Sequence, residues 1–356
     1  LLGSTDTGNE KDNFIVKIDE TGNILLQKVR GDDGLDNIAK QVVVKDSFIY
    51  VLNDRLDRYV KRTIPHISIY NLSNLEFVKE IHTDSINGLN ASIIYEEKST
   101  GFFMNNNTMT IASTSINTEG KASLYTYIID DLPKFQLNSA IVKKNEVLDN
   151  LFVGKNISAR AIKKLDDGDF FIVGIISEFS DANEKAKGYF IIKYNSDGSE
   201  SKIWADLNNP ELSNLFDFEI IDENNLIMLY RNGNQANIDI VELSDNQNAD
   251  NYFEVIQHFT DTLGNVYAND VVIYDGNRDV EIIDDSKPAY IQKIGNYFTI
   301  TATRASDYAM IIDRKILGVN PYSLTSIDNK AWDEYIVTNN ISIFNHFRNK
   351  IGNVIL

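Results

Sequence analysis

Phe190-Ile191-Ile192-Lys193-Tyr194-Asn195-Ser196-Asp197-Gly198 carries an apolar run, a lysine and a glycine at the same spacing as Phe14-Ile15-Val16-Lys17-Ile18-Asp19-Glu20-Thr21-Gly22. Each copy reads as a strand that turns at a glycine and runs directly into another strand. The apolar run is too short for a helix, and the Asn, Asp, Ser and Gly that follow it have hairpin chemistry. The chain therefore holds a diverged repeat, and the rest of the sequence is organised around it.

Working outward from the first copy, residues 1–5 read as a strand, 6–13 as a polar loop, and 14–18 and 24–29 as two strands joined through Gly22-Asn23. A linker rich in Gly and Asp, 31–37, leads to strands at 42–44, 48–52, 66–70 and 75–81, where the unit reaches four strands. A third group is expected at 91–95, 108–113, 123–129 and 135–142. The pattern returns at 158–164, 170–176, 189–194 and 201–204, with Asp166-Asp167-Gly168-Asp169 and Ser196-Asp197-Gly198 as hairpins, and again at 216–221, 226–230, 238–243 and 253–258. A sixth group falls at 289–294, 297–303, 309–312 and 322–325. A seventh falls at 335–338, 341–345 and 351–356, where Ile341-Ser342-Ile343-Phe344-Asn345 echoes Ile67-Ser68-Ile69-Tyr70-Asn71. Nowhere is a helical period sustained.

A single four-stranded antiparallel sheet buries too little and leaves two edges unpaired. Repeating it about an axis lets each sheet pack face to face on its neighbours, and a repeat of roughly 40–50 residues is the period of such blades. The continuous apolar runs Phe170-Phe171-Ile172-Val173-Gly174-Ile175-Ile176 and Leu226-Ile227-Met228-Leu229-Tyr230 suit inner or second strands, covered on both faces. A parallel β-helix needs shorter repeats, and a two-sheet sandwich does not repeat a four-strand group. The fold class is all-β: a β-propeller of four-stranded antiparallel blades, with seven blades expected and six or eight as the alternatives. One domain spans 1–356, since closed β architectures run long as single units.

The residues also carry a resemblance. Leu1-Leu2-Gly3-Ser4-Thr5, the strand from Phe14 to Asp19, Gly22-Asn23 and the stretch from Gly34 to Ala39 resemble the β-propeller repeat of exported bacterial surface lipoproteins, particularly those of Bacteroidetes; Lys193 to Trp204 fits the same pattern. The likeness covers two units closely and two or three more in part. It implies the propeller fold and an exported location, periplasmic or on the cell surface, with outer-membrane lipidation. It implies no single activity.

Composition narrows the partners. With 52 acidic against 34 basic side chains and a formal charge of -18, the chain repels nucleic-acid phosphate and anionic lipid head groups. Arg55, Arg58, Lys61 and Arg62 form the densest basic cluster, but Asp54 and Asp57 stand among them, so it reads as a solvated loop. The absence of cysteine excludes a disulfide framework and thiolate metal sites. No window is apolar for long enough to span a membrane. Leu1 reads as the middle of a strand, so residues are expected upstream of it, among them any export signal or lipid anchor. Either the first strand of the sheet that Leu1 enters lies upstream, or the segment 350–356 completes that sheet.

Motifs for chemistry are sparse. His66, His82, His258 and His346 stand far apart in sequence with no pair at metal-ligand spacing, and each reads as a strand-end or surface residue. The zinc-helix, phosphate-loop and nucleophile-elbow patterns are missing. The sialidase-type Asp box needs Ser-x-Asp-x-Gly, whereas Asp197 and Gly198 are adjacent. Carboxylates are abundant enough for a paired-acid glycosidase site, which needs only two at a suitable separation. Asp6-Thr7-Gly8-Asn9-Glu10-Lys11-Asp12 clusters oxygen ligands about a glycine, but it lacks the twelve-position calcium loop and reads as a solvated turn. No catalytic, metal-binding or cofactor-binding residue is assigned, and no cofactor is expected.

The function expected from these readings is a non-enzymatic binding propeller of the bacterial envelope, docking a protein partner in an envelope or outer-membrane complex and touching the membrane only through an anchor outside this sequence. Its contacts are placed on the connections 54–65, 101–107, 177–188 and 275–287, since loops carry function where strands carry packing. The alternative is a glycan-binding or glycan-cleaving propeller with its site over the central channel. A third reading is a structural segment of a longer adhesin.

Overall fold

The computed structural model describes residues 2–6, 11–19, 23–31, 35–57, 62–83, 94–117, 119–130, 140–180, 183–207, 214–232, 235–243, 254–258, 289–294, 297–303, 310–317 and 324–325, with side chains followed as far as Leu243. Among these, six antiparallel sheets form in chain order. The first has three strands, β1 (Leu2–Asp6), β2 (Lys11–Ile18) and β3 (Ile24–Arg30). The second is β4 (Leu35–Lys45), β5 (Phe48–Asp57), β6 (Arg62–Asn71) and β7 (Phe77–His82). The third is β8 (Ile94–Asn105), β9 (Thr108–Asn117), β10 (Ala122–Ile129) and β11 (Ala140–Lys144). The helix α1 (Glu146–Leu151) then leads to β12 (Asn156–Lys164), β13 (Phe170–Ser180), β14 (Asn183–Tyr194) and β15 (Glu200–Asp206). The fifth sheet is β16 (Asn214–Ile220), β17 (Asn225–Asn232), β18 (Gln235–Glu242) and β19 (Glu254–His258). The sixth is β20 (Ala289–Ile294), β21 (Tyr297–Thr303), β22 (Met310–Leu317) and β23 (Leu324–Thr325). Every sheet is a simple meander, so the fold is an all-β propeller of four-stranded antiparallel blades.

The described residues fall into two compact units, one built mainly from residues 1–164 and the other from most of the remainder. In the first unit the second sheet is covered on both faces. Ile49, Val51, Tyr70 and Leu75 pack with Ile15 of β2. Tyr50, Leu52, Ile67, Ile69 and Ile81 point the other way and pack with Phe102, Met109, Ile111, Tyr127 and Ile129 of the third sheet. This follows from the period-2 alternation of a strand, which sends neighbouring residues to opposite faces. In the second unit, Phe170 stacks on Tyr194 with ring centroids 4.9 Å apart, and Phe171 leans on Trp204 at 6.4 Å.

The hairpins obey the turn chemistry of the sequence. Gly168 (φ 100°) and Gly198 (φ 74°) take the left-handed conformation that the Asp-Gly turns require. The strands nonetheless extend further than the apolar runs. The third group differs most, because β8 takes in Glu96-Glu97-Lys98-Ser99-Thr100, a polar run that reads as a connection. The connections expected at 101–107 and 177–188 lie largely within β8, β13 and β14, and much of 54–65 belongs to the β5–β6 hairpin. The connection at 275–287, the seventh group, His346 and the segment 350–356 lie outside the described residues. A short helix, α1, also forms where none is expected: Asn145 caps it, its Oδ1 accepting from the Leu148 N–H at 2.8 Å.

Candidate functional site

Register places one end of the second sheet where β4 and β6 begin and β5 and β7 finish: Leu35 pairs with Asp57, Asp57 with Arg62 and His66 with His82. Toward that end, side chains on both faces change from aliphatic to polar. Asp36, Asn37, Asn53, Asp54, His66 and Thr83 are all buried there. The same change occurs where β8 begins and β9 ends, at Glu97, Ser99, Ser113 and Ser115.

On the face toward the first sheet the polar groups form one network centred on Glu80. Asn13 of β2 donates from Nδ2 to Asn53 Oδ1 at 2.6 Å, Asn53 Nδ2 reaches Ser68 Oγ at 3.3 Å, and Ser68 Oγ donates to Glu80 Oε1 at 3.2 Å. Arg55 Nη2 donates to Glu80 Oε2 at 2.9 Å, and Arg30 Nη2 of β3 lies 3.6 Å from Oε1. His66 and His82, sixteen residues apart in sequence, are cross-strand partners. Their rings stack 5.6 Å apart, with the two Nε2 atoms 3.3 and 3.0 Å from the two Glu80 oxygens. The reading of each histidine as a strand-end or surface residue holds for His82, which ends β7, and is corrected for His66, which lies within β6 and is only 1% exposed; the β6–β7 hairpin brings the two together. Among the described residues no three His, Asp or Glu side chains are placed to hold a metal ion. Here both carboxylate oxygens face nitrogen donors.

The electrostatics follow from burial and partners. Burial lowers the His66 pKa to about 3, overriding the pull of Glu80 and aided by Arg55, so the ring is neutral at physiological pH. Nε2 donates to Glu80, leaving Nδ1 buried without a hydrogen-bond partner. Burial by itself pushes Glu80 up, but the His82 hydrogen bond and the nearby cations hold its carboxyl far below the usual carboxylate range.

The opposite face carries a second buried acid in a different state. Asp54 Oδ1 accepts from the Ser99 N–H at 3.0 Å and from Ser99 Oγ at 2.6 Å, while Lys40 Nζ lies 3.4 Å from Oδ2. Glu97 Oε1 accepts from Ser113 Oγ at 2.5 Å and from the Tyr127 hydroxyl. Thr83 Oγ1 lies 2.9 Å from Glu97 Oε2 and 3.1 Å from the Pro65 carbonyl. Thr83 has one proton for two acceptors, and a proton on Glu97 Oε2 satisfies all three groups. Burial accordingly raises the Glu97 pKa, with Asp54 adding to the shift against the three hydroxyl hydrogen bonds. Two carboxyl groups with environments that push them apart are the raw material of acid and base chemistry. Here each is engaged by protein groups, so their demonstrated work is to fix a polar rim.

Sequence reading missed this rim because its members come from nine strands, β2 to β10, and no two form a motif. The one local signal was the His-Ile-Ser-Ile-Tyr and Glu-Ile-His alternation at 66–70 and 80–82, which puts His66, Glu80 and His82 on one face once the strands are paired.

No protein-family model matches the chain, and no curated protein matches it. Among solved structures, the chain is similar to the polysaccharide lyase Uly1, with 8% identity and a TM-score of 0.43, covering 75% of this chain and 55% of that one. It is likewise similar to a GH43_1 enzyme from Xanthomonas citri complexed with xylotriose, at 9% identity and TM-score 0.42, covering 82% of this chain and 90% of that one. A third is CoXyl43, a GH43 β-xylosidase/α-arabinofuranosidase from a compost microbial metagenome, at 11% identity and TM-score 0.40, covering 82% and 94%. At these identities the likeness is one of fold. The expectation of a non-enzymatic scaffold docking a protein partner in an envelope complex is corrected here, because the structures named are glycan-cleaving enzymes.

Proposed function

We propose that the protein is a carbohydrate-active propeller that binds a glycan chain across the polar end of β4 and β8. The observation that carries this reading is the buried polar rim. Apolar clusters already hold the first three sheets together. A second set of buried Asn, Asp, Glu, Arg and His side chains costs desolvation without being needed for that packing. Such groups, locked by mutual hydrogen bonds, suit the dense donor and acceptor pattern of sugar hydroxyls, which rewards partners that are already oriented. Asn37 lies on β4, and its Nδ2 is buried without a hydrogen-bond partner, while its Oδ1 accepts from Arg55 Nε at 3.4 Å.

The test is a panel of xylo-, arabino-, gluco- and uronate-containing oligosaccharides, read by thermal shift and by release of reducing ends. At least one class is expected to raise the melting temperature, with the shift lost in Asn37→Ala. A panel that gives neither a shift nor new reducing ends overturns the reading. Export to the periplasm or cell surface, as a lipoprotein of Bacteroidetes type, is proposed on the resemblance of residues 1–39 and 193–204 alone. Recovery of the native protein in the cytoplasmic fraction would end that part.

A further inference from the structure

Three side chains of the network around Glu80 hold a buried polar atom without a hydrogen-bond partner: Asn13 Oδ1, Asn37 Nδ2 and His66 Nδ1. The residues are 5%, 3% and 1% exposed. What already faces them forces their orientation. Asn53 Nδ2 donates to the Val51 carbonyl at 3.3 Å, which can only accept, so Asn53 turns its Oδ1 toward Asn13. Asn13 then has to present Nδ2, and its Oδ1 is left over. Asn37 must offer Oδ1 to Arg55 Nε, a pure donor, and its Nδ2 is left over. His66 carries its proton on Nε2, 3.3 Å from the Glu80 carboxylate, and burial keeps the ring neutral, so Nδ1 is an acceptor. No amide rotation or change of tautomer relieves any of the three without breaking a bond that exists.

These atoms specify a chemistry. Two accept and one donates, so their complement has two hydrogens to give and a lone pair to share. A carboxylate or sulfate has no hydrogen for Asn13 or His66, and an ammonium has no lone pair for Asn37. A pair of hydroxyls supplies all three. The charges nearby agree, because Arg30 and Arg55 are both turned to Glu80. The spacing suits a ring more than a single atom. Asn37 on β4 pairs with Arg55 on β5, His66 on β6 pairs with Asn53 on β5, and Asn13 reaches Asn53 from the first sheet. The backbones of Asn37 and His66 therefore stand two strand spacings apart, about 10 Å, with Asn13 over the strand between them. The network meets solvent at Arg30 and His82, whose side chains are 24% and 30% exposed.

We propose that the polar end between the first and second sheets seats one neutral sugar unit, whose hydroxyls donate to Asn13 Oδ1 and His66 Nδ1 and accept from Asn37 Nδ2. This rests on the glycan reading above and narrows it: recognition at the seat is by hydroxyl hydrogens, and a carboxylate on the sugar contributes nothing there. The three atoms are closed to solvent as the side chains stand. Arg30, which lies over the ring of Phe77 with Cζ 3.5 Å from its centre, is the long, partly exposed group that swings to admit the sugar.

Methyl glycosides of xylose, arabinose, glucose and galactose, each beside its fully O-methylated counterpart, test the seat by thermal shift and titration calorimetry of the full chain. At least one free-hydroxyl glycoside is expected to bind. Its O-methylated counterpart, which keeps acceptors and loses every donor, should bind at least about tenfold more weakly. Asn37→Asp keeps the acceptor for Arg55 and removes the donor, so it should weaken the same glycoside about tenfold. A third readout needs no variant: the ring nitrogen resonances of His66, one of four histidines, should move as the glycoside saturates the parent. Equal affinity with and without the methyl groups, equal affinity in parent and Asn37→Asp, or unmoved His66 resonances each overturn the seat and leave the glycan reading standing. Silence from the methyl glycosides while an oligosaccharide of the wider panel binds does the same. Silence from both ends the two together.

Discussion

The two faces of the second sheet are built from the same strands and end in opposite chemistry. Toward the first sheet, Glu80 is an ionised carboxylate gripped by two arginines and two histidines. Toward the third, Glu97 is a fully buried acid gripped by three hydroxyls, and burial raises its pKa. The glutamates share a residue type and a blade end, and differ in what faces them. Cationic nitrogens compensate a buried charge, whereas hydroxyls at full burial offset it only in part, so the Glu97 pKa rises. Partner type and depth act together here, since Glu80 keeps 13% of its side chain exposed and Glu97 is buried.

The largest expected effect sharpens the difference between the apolar halves of those faces. Leu52 is fully buried in the larger cluster and Val51 in the smaller one. Leu52→Ala should cost about 3 kcal/mol and Val51→Ala about half as much, read from urea unfolding at fixed m-value. Equal costs would mean that the two faces share one core.

A smaller effect addresses the two acids. Glu80→Gln removes the charge that offsets Arg30, Arg55 and the histidines, and should cost about 2 kcal/mol once the partial exposure of the site is allowed for. Glu97→Gln replaces one neutral group by another of the same shape and should cost under about 1 kcal/mol. If Gln is tolerated better at 80 than at 97, the assignment of charge is reversed.

The smallest effect is a slope. His66 is held neutral, with its pKa lowered from 6.5 to about 3, so below pH 6.5 the unfolded chain takes up a proton that the folded chain refuses. Stability from this residue is complete above pH 6.5 and falls as pH drops toward 3, by at most about 1.4 kcal/mol per unit. Glu80, with its pKa lowered, adds a further loss below its unfolded value of 4.5. Glu97, raised, acts in the other direction and loses stability as pH climbs above 4.5. The difference in unfolding free energy between the parent and His66→Gln should therefore shrink between pH 7 and pH 5. A difference that does not move with pH would place the His66 proton elsewhere.

Much of the fold was legible because strand sequences here satisfy local and global demands together. Ala289–Ile294 and Tyr297–Thr303 were read to the residue, and the repeat at Phe14 and Phe190 fell on equivalent strands, β2 and β14. Where reading failed, a tertiary contact had replaced the local signal. Glu97 and Ser99 make β8 look like a loop, yet Asp54, Thr83, Ser113 and Tyr127 satisfy them from other strands and let the polar run lie inside. The rim was illegible for the same reason. His66 and His82 become neighbours through a register, and the register depends on a bulge at Ile69/Tyr70 that no residue type announces.

The last strand of each sheet is the one that no further strand of its own sheet covers, and in four of the six described sheets it carries bases. Lys28 and Arg30 lie on β3, Lys79 on β7, Lys143 and Lys144 on β11, and Lys202 on β15. An edge lined with long cations cannot zip against the same edge of another copy, because like charges would meet at the 4.8 Å strand spacing. At these four edges the bases thus act against strand-to-strand addition of a second copy, a consequence of edge chemistry rather than of the overall charge of -18.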